Sequence, residues 1–342
     1  MKQTIRGAFV ACSLALTALA VAIPAAAQSP PTKPAMGQLG GAGPCTEGTG
    51  KSGYGNRAEY IWVKVPTGTG SPRTGGTCND ANRPVVLIAP GWGALAPSNY
   101  PNLVSDMVSN GFIVIYVNFS LYPIRPDVNY AQVLDGYKVA TTKFNSQIGN
   151  RMDLANIGIW GHSLGAGMVP WLAKEISALG AGSNSLWLSS NATSWAFWVE
   201  LTGPIDIPSH AHAQVIAYDQ DTKTDHNVGI DVFEAYDIPD SQKDHIQIQS
   251  DGSYVADHAT PTEGAANYLD WYGVHRNYQA LADCARFGTN CNVDLTDMGQ
   301  WSNGVDAKEA IVSDDPQDMG PADALVECGE DNGQGAPSRC GP

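Results

Sequence analysis

Ile157-Gly158-Ile159-Trp160-Gly161-His162-Ser163-Leu164-Gly165-Ala166-Gly167 is the stretch on which the reading of this chain turns. A short apolar run leads into Gly-x-Ser-x-Gly, and a segment with helical spacing follows over Ala166–Leu179. A strand that ends here must turn at once into a helix. The residue at the apex is then held in a strained backbone conformation with its side chain exposed. Gly161 and Gly165 lack Cβ atoms, so strand and helix can approach closely. The start of the helix adds N–H groups without intrahelical partners and the positive end of a dipole. Ser163 is thereby the candidate nucleophile, and the competing reading is a purely structural turn.

Working outward, Val85–Ala89 and Phe112–Val117 are continuous apolar runs, as expected of strands buried on both faces. Glu59–Val65, Ile157–Trp160, Trp195–Val199, Val215–Tyr218 and Ile246–Gln249 read as further strands. Tyr100–Ser109, Tyr130–Ile148, Ala166–Leu179 and Gly264–Cys284 carry helical spacing. Strands alternating with helices predict an α/β fold, with a mostly parallel central sheet and helices on both faces. Residues 28–56 are rich in Pro, Gly, Ser and Thr and read as a loosely held arm. Residues 57–285 read as the catalytic domain, and the acidic, Gly/Pro-rich 286–342 as an extension packed on that same domain.

A serine nucleophile needs a base, and the base needs an orienting acid. In a parallel sheet these groups gather at the carboxyl ends of strands. Asp221, in the loop leaving Val215–Tyr218, is the preferred acid, with Asp219 and Asp206 as competitors. His258, in the loop after the last strand, is the preferred base, with His245 behind it. His162 adjoins the serine, with its side chain expected to point away from it. His210 and His212 are expected in a solvated loop, His226 and His245 near element boundaries, and His275 within the last helix. Asp219, Asp221 and Asp225 could alternatively hold calcium, but the pattern has no EF-hand-like Gly and Glu. The oxyanion of a tetrahedral intermediate also needs N–H donors. Leu164 is expected to supply one and Trp92, in Pro90-Gly91-Trp92-Gly93-Ala94, the other, with its indole as a wall of the substrate site.

With the order Ser163, Asp221, His258 in place, the chain resembles the α/β-hydrolase superfamily. Within it, the chain resembles cutinase-like polyester hydrolases, dienelactone-hydrolase-like proteins and chlorophyllase-type esterases. Pro84–Ala94, Ser109–Val117, Ile157–Gly167 and Val215–Thr222 carry the resemblance, which spans residues 83–260. Pro90-Gly91-Trp92 matches the Pro-Gly-aromatic oxyanion loop of the polyester hydrolases. Leu164 and Gly165-Ala166-Gly167 depart from the Met and Gly-Gly-Gly common there. The resemblance implies a serine esterase whose substrate is a lipid, a polyester or a small ester.

Composition bounds the setting. Lys2 and Arg6, an apolar stretch to Ile23, and Ala25-Ala26-Ala27 before Gln28 read as a secretory signal peptide over residues 1–27, so a secreted or periplasmic protein is expected. Removing it takes out two basic and no acidic side chains and moves the net charge from −15 to −17. Such a charge disfavours nucleic acid and anionic membranes as partners. No later segment is apolar enough to span a membrane, so no stable insertion is expected after signal cleavage, and the protein is expected to be a monomer. Cys12 falls within the signal. The six cysteines that remain suggest Cys45–Cys78, Cys284–Cys291 and Cys328–Cys340, stapling the chain ends rather than the catalytic centre. Their spacing does not suit zinc, and the proposed chemistry calls on no metal or organic cofactor. The rival functions are a peptidase or acyltransferase using the same three residues, or a binding protein on the same fold.

Overall fold

The computed structural model describes residues 28–317 except 57–58, 121–124, 195, 197–203 and 263, and omits the side chains of 126 and 127. The expected signal segment and the Cys328–Cys340 pair lie outside the described residues. So does most of the expected strand Trp195–Val199; its one described residue, Ala196, is not in a strand.

Eleven strands are described: β1 Thr46–Glu47, β2 Lys51–Tyr54, β3 Tyr60–Lys64, β4 Pro66–Thr67, β5 Arg83–Ala89, β6 Ile113–Val117, β7 Met152–His162, β8 Ser185–Asn191, β9 His212–Tyr218, β10 Lys243–Ile248 and β11 Ile311–Ser313. Strands β1 and β4 form a small antiparallel pair. The other nine make one sheet in the order β11-β10-β9-β8-β7-β5-β6-β3-β2. The six from β10 to β6 are parallel, and the edges β11, β3 and β2 run antiparallel to their neighbours. The helices are α1 Pro101–Ser109, α2 Pro126–Val139, α3 Asn145–Gln147, α4 Leu164–Ala178, α5 His226–Ala235 and α6 Asn277–Phe287. A π-helical turn over Ala140–Phe144 joins α2 to α3, and another over Leu269–Arg276 precedes α6.

The central strands read as unbroken apolar runs because each face meets a different layer. Val85, Leu87, Ala89, Ile113, Ile115, Ile157 and Ile159 pack with residues of α2, α4 and α5. The alternate positions Val86, Ile88, Val114, Tyr116, Trp160 and Trp187 pack with α1 and α6. The period of two therefore sends apolar side chains both ways. Strand β8 escaped the sequence reading because Ser189, Ser190 and Asn191 are polar. All three are buried, and the fold supplies partners: Ser190 Oγ donates to Ala166 O, Asn191 Nδ2 to Gly161 O, and Gln214 Nε2 to Ser189 Oγ.

The described parts of both terminal segments are fastened. Cys45–Cys78 and Cys284–Cys291 are disulfides. The N-terminal arm is not loose: it contributes β2 to the sheet, and Gly43 N–H donates to Ser109 Oγ at 2.9 Å. The C-terminal segment adds β11 and covers Ile216, Tyr218, Ile246 and Ile248 with Met298, Ala307 and Ala310. Among the described residues no helix is long and apolar enough to cross a membrane.

The arm also docks on a buried polar cluster with a pH consequence. Gly40 N–H donates to Gln279 Oε1 at 2.8 Å, and Gln279 Nε2 donates to Gly41 O at 3.2 Å and Asp106 Oδ2 at 2.9 Å. Burial pushes the Asp106 carboxyl up to about 7, against the opposing pull of the Gln279 bond and the charges of Lys33 and Arg73. His275 Nδ1 lies 3.7 Å from Asp106 Oδ1, but burial and Lys33 push that imidazole down to about 3, so the two make no ion pair. An acid whose folded pKa is raised contributes stability that is full below its unfolded pKa, about 4. That contribution is lost as pH rises through the folded value. Asp106→Asn, neutral throughout, is expected to melt progressively higher relative to wild type as pH rises from about 4 to 7, with no further change above it. A difference in Tm that does not vary with pH would contradict this.

Candidate active site

Strand order reverses between β5 and β7: the chain goes from β5 to β6 on one side, then returns to place β7 on the other. Ligands of open parallel sheets bind at the carboxyl ends of the strands at such a switch point. Both key segments leave from there. Strand β7 ends at His162, and α4 begins at Leu164, leaving Ser163 alone in the corner with φ 55° and ψ −123°. Positive φ costs an L-residue on the order of 1–2 kcal/mol. The surroundings hold it there: Ser163 N–H donates to Asn191 O at 2.9 Å, and Ser163 O accepts from Ala166 N–H at 2.9 Å and Gly167 N–H at 3.3 Å.

Gly165 shows why the corner tolerates no side chain. A Cβ there would lie inside van der Waals contact of Ala89 O, Ala89 C and Pro90 O, all rigid backbone. Gly165→Ala is therefore expected to destabilise the fold by about 2 kcal/mol or more, measured by denaturant unfolding. An unchanged midpoint would mean that β5 and α4 are not packed this closely.

The loop after β5 lies against the elbow. A Cβ on Gly91 would sit 3.0 Å from His162 Nδ1 and 3.2 Å from Ser163 Cβ. Gly91 N–H is taken by Tyr100 Oη at 2.9 Å, and Ala94 N–H closes a turn on Gly91 O at 3.1 Å. Trp92 follows, 44 % exposed, on the wall of the cavity. Leu164 is the first residue of α4, where the N–H has no intrahelical partner. These are the two residues expected to donate to an oxyanion.

Asp221 and His258 meet across two loops. Asp221, in the turn after β9, is fully buried. His258 Nδ1–H donates to its Oδ2 at 2.9 Å, and Thr224 Oγ1 donates to the same oxygen at 2.7 Å. Oδ1 accepts from Lys223 N–H at 2.7 Å and Thr224 N–H at 3.2 Å. Burial alone would raise this carboxyl, but the His258, Thr224 and Lys223 interactions outweigh it and hold the group below the usual carboxylate range. With Nδ1 committed, Nε2 is the ring nitrogen of His258 left to act as a base.

The competing residues have other placements. Asp219 Oδ1 accepts from Ser250 N–H at 3.0 Å and Ser250 Oγ at 2.6 Å, tying two loops together. Asp206 is exposed. Asp225 caps α5 by accepting from Asn227 N–H at 2.9 Å. Asp219, Asp221 and Asp225 thus have three separate sets of partners, and among the described residues no group of three His, Cys, Asp or Glu is arranged to hold a metal. His245 is buried on β10 against Phe233. His210 Nε2 bonds Gly182 O at 2.8 Å. His212 is not in a solvated loop: it opens β9, half-buried, with Nδ1 3.6 Å from Cys284 Sγ.

Ser163, His258, Trp92, Gly91 and Tyr100 line one open cavity of about 360 Å³, and Ser98, Asn99 and Thr262 add polar side chains to its lining. His162 lines it too, bonded to Tyr100 and to the His258 loop, a role that the sequence pattern did not reveal. No protein-family model matches this chain, and no curated protein matches it either.

Proposed function

We propose that this chain is an α/β-hydrolase-fold serine esterase of the secreted or periplasmic space, acting as a monomer on a lipid, polyester or small carboxylic ester. The observation that carries the reading is the 2.9 Å bond from His258 Nδ1 to the buried Asp221, in a molecule whose cavity joins His258 to a serine on a positive-φ elbow. That combination suits acyl transfer to a hydroxyl.

In this reading His258 Nε2 takes the proton from Ser163 Oγ as the oxygen attacks the ester carbonyl. The carbonyl oxygen becomes an oxyanion held by the Leu164 and Trp92 N–H groups. His258 returns the proton to the leaving alcohol as the C–O bond breaks, leaving an acyl-serine. Water then repeats the sequence, releasing the acid and restoring Ser163. Asp221 keeps its negative charge throughout and steadies the imidazolium. Trp92 flanks the acyl side of the cavity. The two disulfides and the signal-like start support an extracytoplasmic setting.

The test is hydrolysis of p-nitrophenyl esters from acetate to palmitate, with labelling by a fluorophosphonate probe. Turnover with a label on Ser163 is expected, and the chain-length profile reads the acyl preference. A folded protein that neither turns over any ester nor takes the label would sink the reading. Labelling without ester turnover would instead favour a peptidase or acyltransferase.

A further inference from the structure

Next to the Ser163–His258–Asp221 set lies a second buried chain of hydrogen bonds that the reaction scheme does not use. Gly91 N–H donates to Tyr100 Oη at 2.9 Å, Tyr100 Oη lies 3.0 Å from His162 Nδ1, and His162 Nε2 lies 2.9 Å from the backbone oxygen of His258. Tyr100 and His162 are both buried. The chain links three segments far apart in sequence: the oxyanion loop, the residue before the nucleophile, and the loop that carries the base.

The fixed acceptor at one end and the low basicity of the buried ring together place its protons. The His258 carbonyl can only accept, so His162 Nε2 must carry a proton. A neutral imidazole then has a bare Nδ1, which must accept. The Tyr100 hydroxyl therefore donates to Nδ1 while its lone pair accepts from Gly91 N–H. The imidazole is neutral because burial, reinforced by the nearby His258, pushes it down to about 3. Every hydrogen bond thus points the same way, from Gly91 to His258. The two histidines, with ring centroids 4.7 Å apart, carry opposite tautomers: Nε2–H at His162 and Nδ1–H at His258.

We propose that Tyr100 and His162 are positioning residues of the esterase, a one-way hydrogen-bonded clamp that sets the oxyanion loop and the His258 backbone relative to Ser163. The inference rests on the esterase reading. Neither residue touches the reacting atoms in that scheme. Their effect is on placement: a shift of about 1 Å in reacting groups costs on the order of 100-fold in rate. The loss should therefore fall on kcat, because the placement of the oxyanion loop and of His258 matters most where charge develops in the transition state.

Two measurements on the full chain test this. Steady-state kinetics on p-nitrophenyl acetate compare wild type, Tyr100→Phe, His162→Leu and His162→Gln, with circular dichroism as the check on folding. Tyr100→Phe and His162→Leu are expected to lose about 30- to 100-fold in kcat with KM within threefold. His162→Gln, whose amide N–H can still reach the His258 carbonyl, is expected to recover most of that loss. Should His162→Leu not fold, Tyr100→Phe, which removes a single oxygen, carries the comparison. The second measurement is 15N NMR of histidine-labelled protein, with His162 assigned by its absence in His162→Gln. An Nε2–H tautomer unchanged from about pH 8 to pH 5 is expected, well above the value near which the ring would protonate.

Serine-dependent wild-type turnover with Tyr100→Phe within threefold of it would overturn the clamp and leave the esterase reading standing. So would a loss confined to KM, a failure of His162→Gln to recover activity, or an Nδ1–H or doubly protonated His162. Absence of any serine-dependent turnover in wild type would remove the esterase reading and the clamp with it.

Discussion

Ser163→Ala is expected to lower kcat on p-nitrophenyl esters by about 10⁵- to 10⁶-fold and to abolish fluorophosphonate labelling. The loss is expected to be this large because in the proposed scheme the hydroxyl oxygen bonds to the acyl carbon; without it, only oxyanion donors and binding would remain to assist water. The fold should be nearly indifferent. The corner is held through backbone groups, Ser163 N–H to Asn191 O and Ala166 and Gly167 N–H to Ser163 O, which alanine keeps. Alanine also meets the same positive φ as serine. Stability should therefore change by less than about 1 kcal/mol, and the thermal midpoint by a few degrees at most. Retained turnover, or a label recovered on a different serine, would remove Ser163 from the mechanism.

The second large effect is expected at Asp221. Asp221→Asn should reduce kcat by on the order of 10⁴-fold. The carboxylate offers His258 Nδ1 an acceptor only, which fixes the proton on Nδ1 and leaves Nε2 bare. An asparagine amide can present N–H₂ instead and so permits the tautomer with Nε2 protonated, which cannot accept from Ser163. The same change disturbs stability. Four donors converge on Asp221: His258 Nδ1, Thr224 Oγ1, Lys223 N–H and Thr224 N–H. An amide nitrogen facing any of them leaves buried donors opposed, at a cost of roughly 1–3 kcal/mol. Since the folded carboxyl is held low, its contribution to stability is present above the unfolded value near 4 and is lost as pH falls through the folded one. Wild type should thus lose its stability advantage over Asp221→Asn only in strong acid. Asp219→Asn is the control: its amide oxygen can still accept from Ser250 N–H and Oγ while the charge is removed, and activity should stay within about threefold. If Asp219→Asn loses turnover and Asp221→Asn does not, the acid has been misassigned.

Much of this arrangement was legible in the linear chain, for local reasons. Gly161-His162-Ser163-Leu164-Gly165 marks a corner because two missing Cβ atoms are needed where β7, β5 and α4 converge. Val85–Ala89 and Ile113–Val117 announce doubly buried strands because both faces of each are apolar. Asp221 and His258 stand out because each lies in the loop beyond the carboxyl end of a parallel strand, β9 and β10, where such a sheet gathers its reactive groups. The pairing Cys45–Cys78 and Cys284–Cys291 followed from proximity along the chain. Strand β8 was not legible, because Ser189, Ser190 and Asn191 read as polar until Ala166, Gly161 and Gln214 are brought to them. The fastening of residues 28–56 was hidden too. A segment rich in Pro and Gly carries no periodicity, and its anchors on Ser109 and Gln279 lie far along the chain.

The sequence by itself determined the alternation of strand and helix, the glycine corner and the types of residue able to act there. Those depend on backbone sterics and on burial patterns that repeat every two or four residues. The tertiary structure alone decided which carboxylate meets His258 and left Asp219 bound to Ser250, because the direction of a side chain in a loop is set by partners outside that loop. It also brought Tyr100, 62 positions earlier, and the His258 carbonyl, 96 positions later, onto the two ring nitrogens of His162, a meeting that no local pattern along the chain announces.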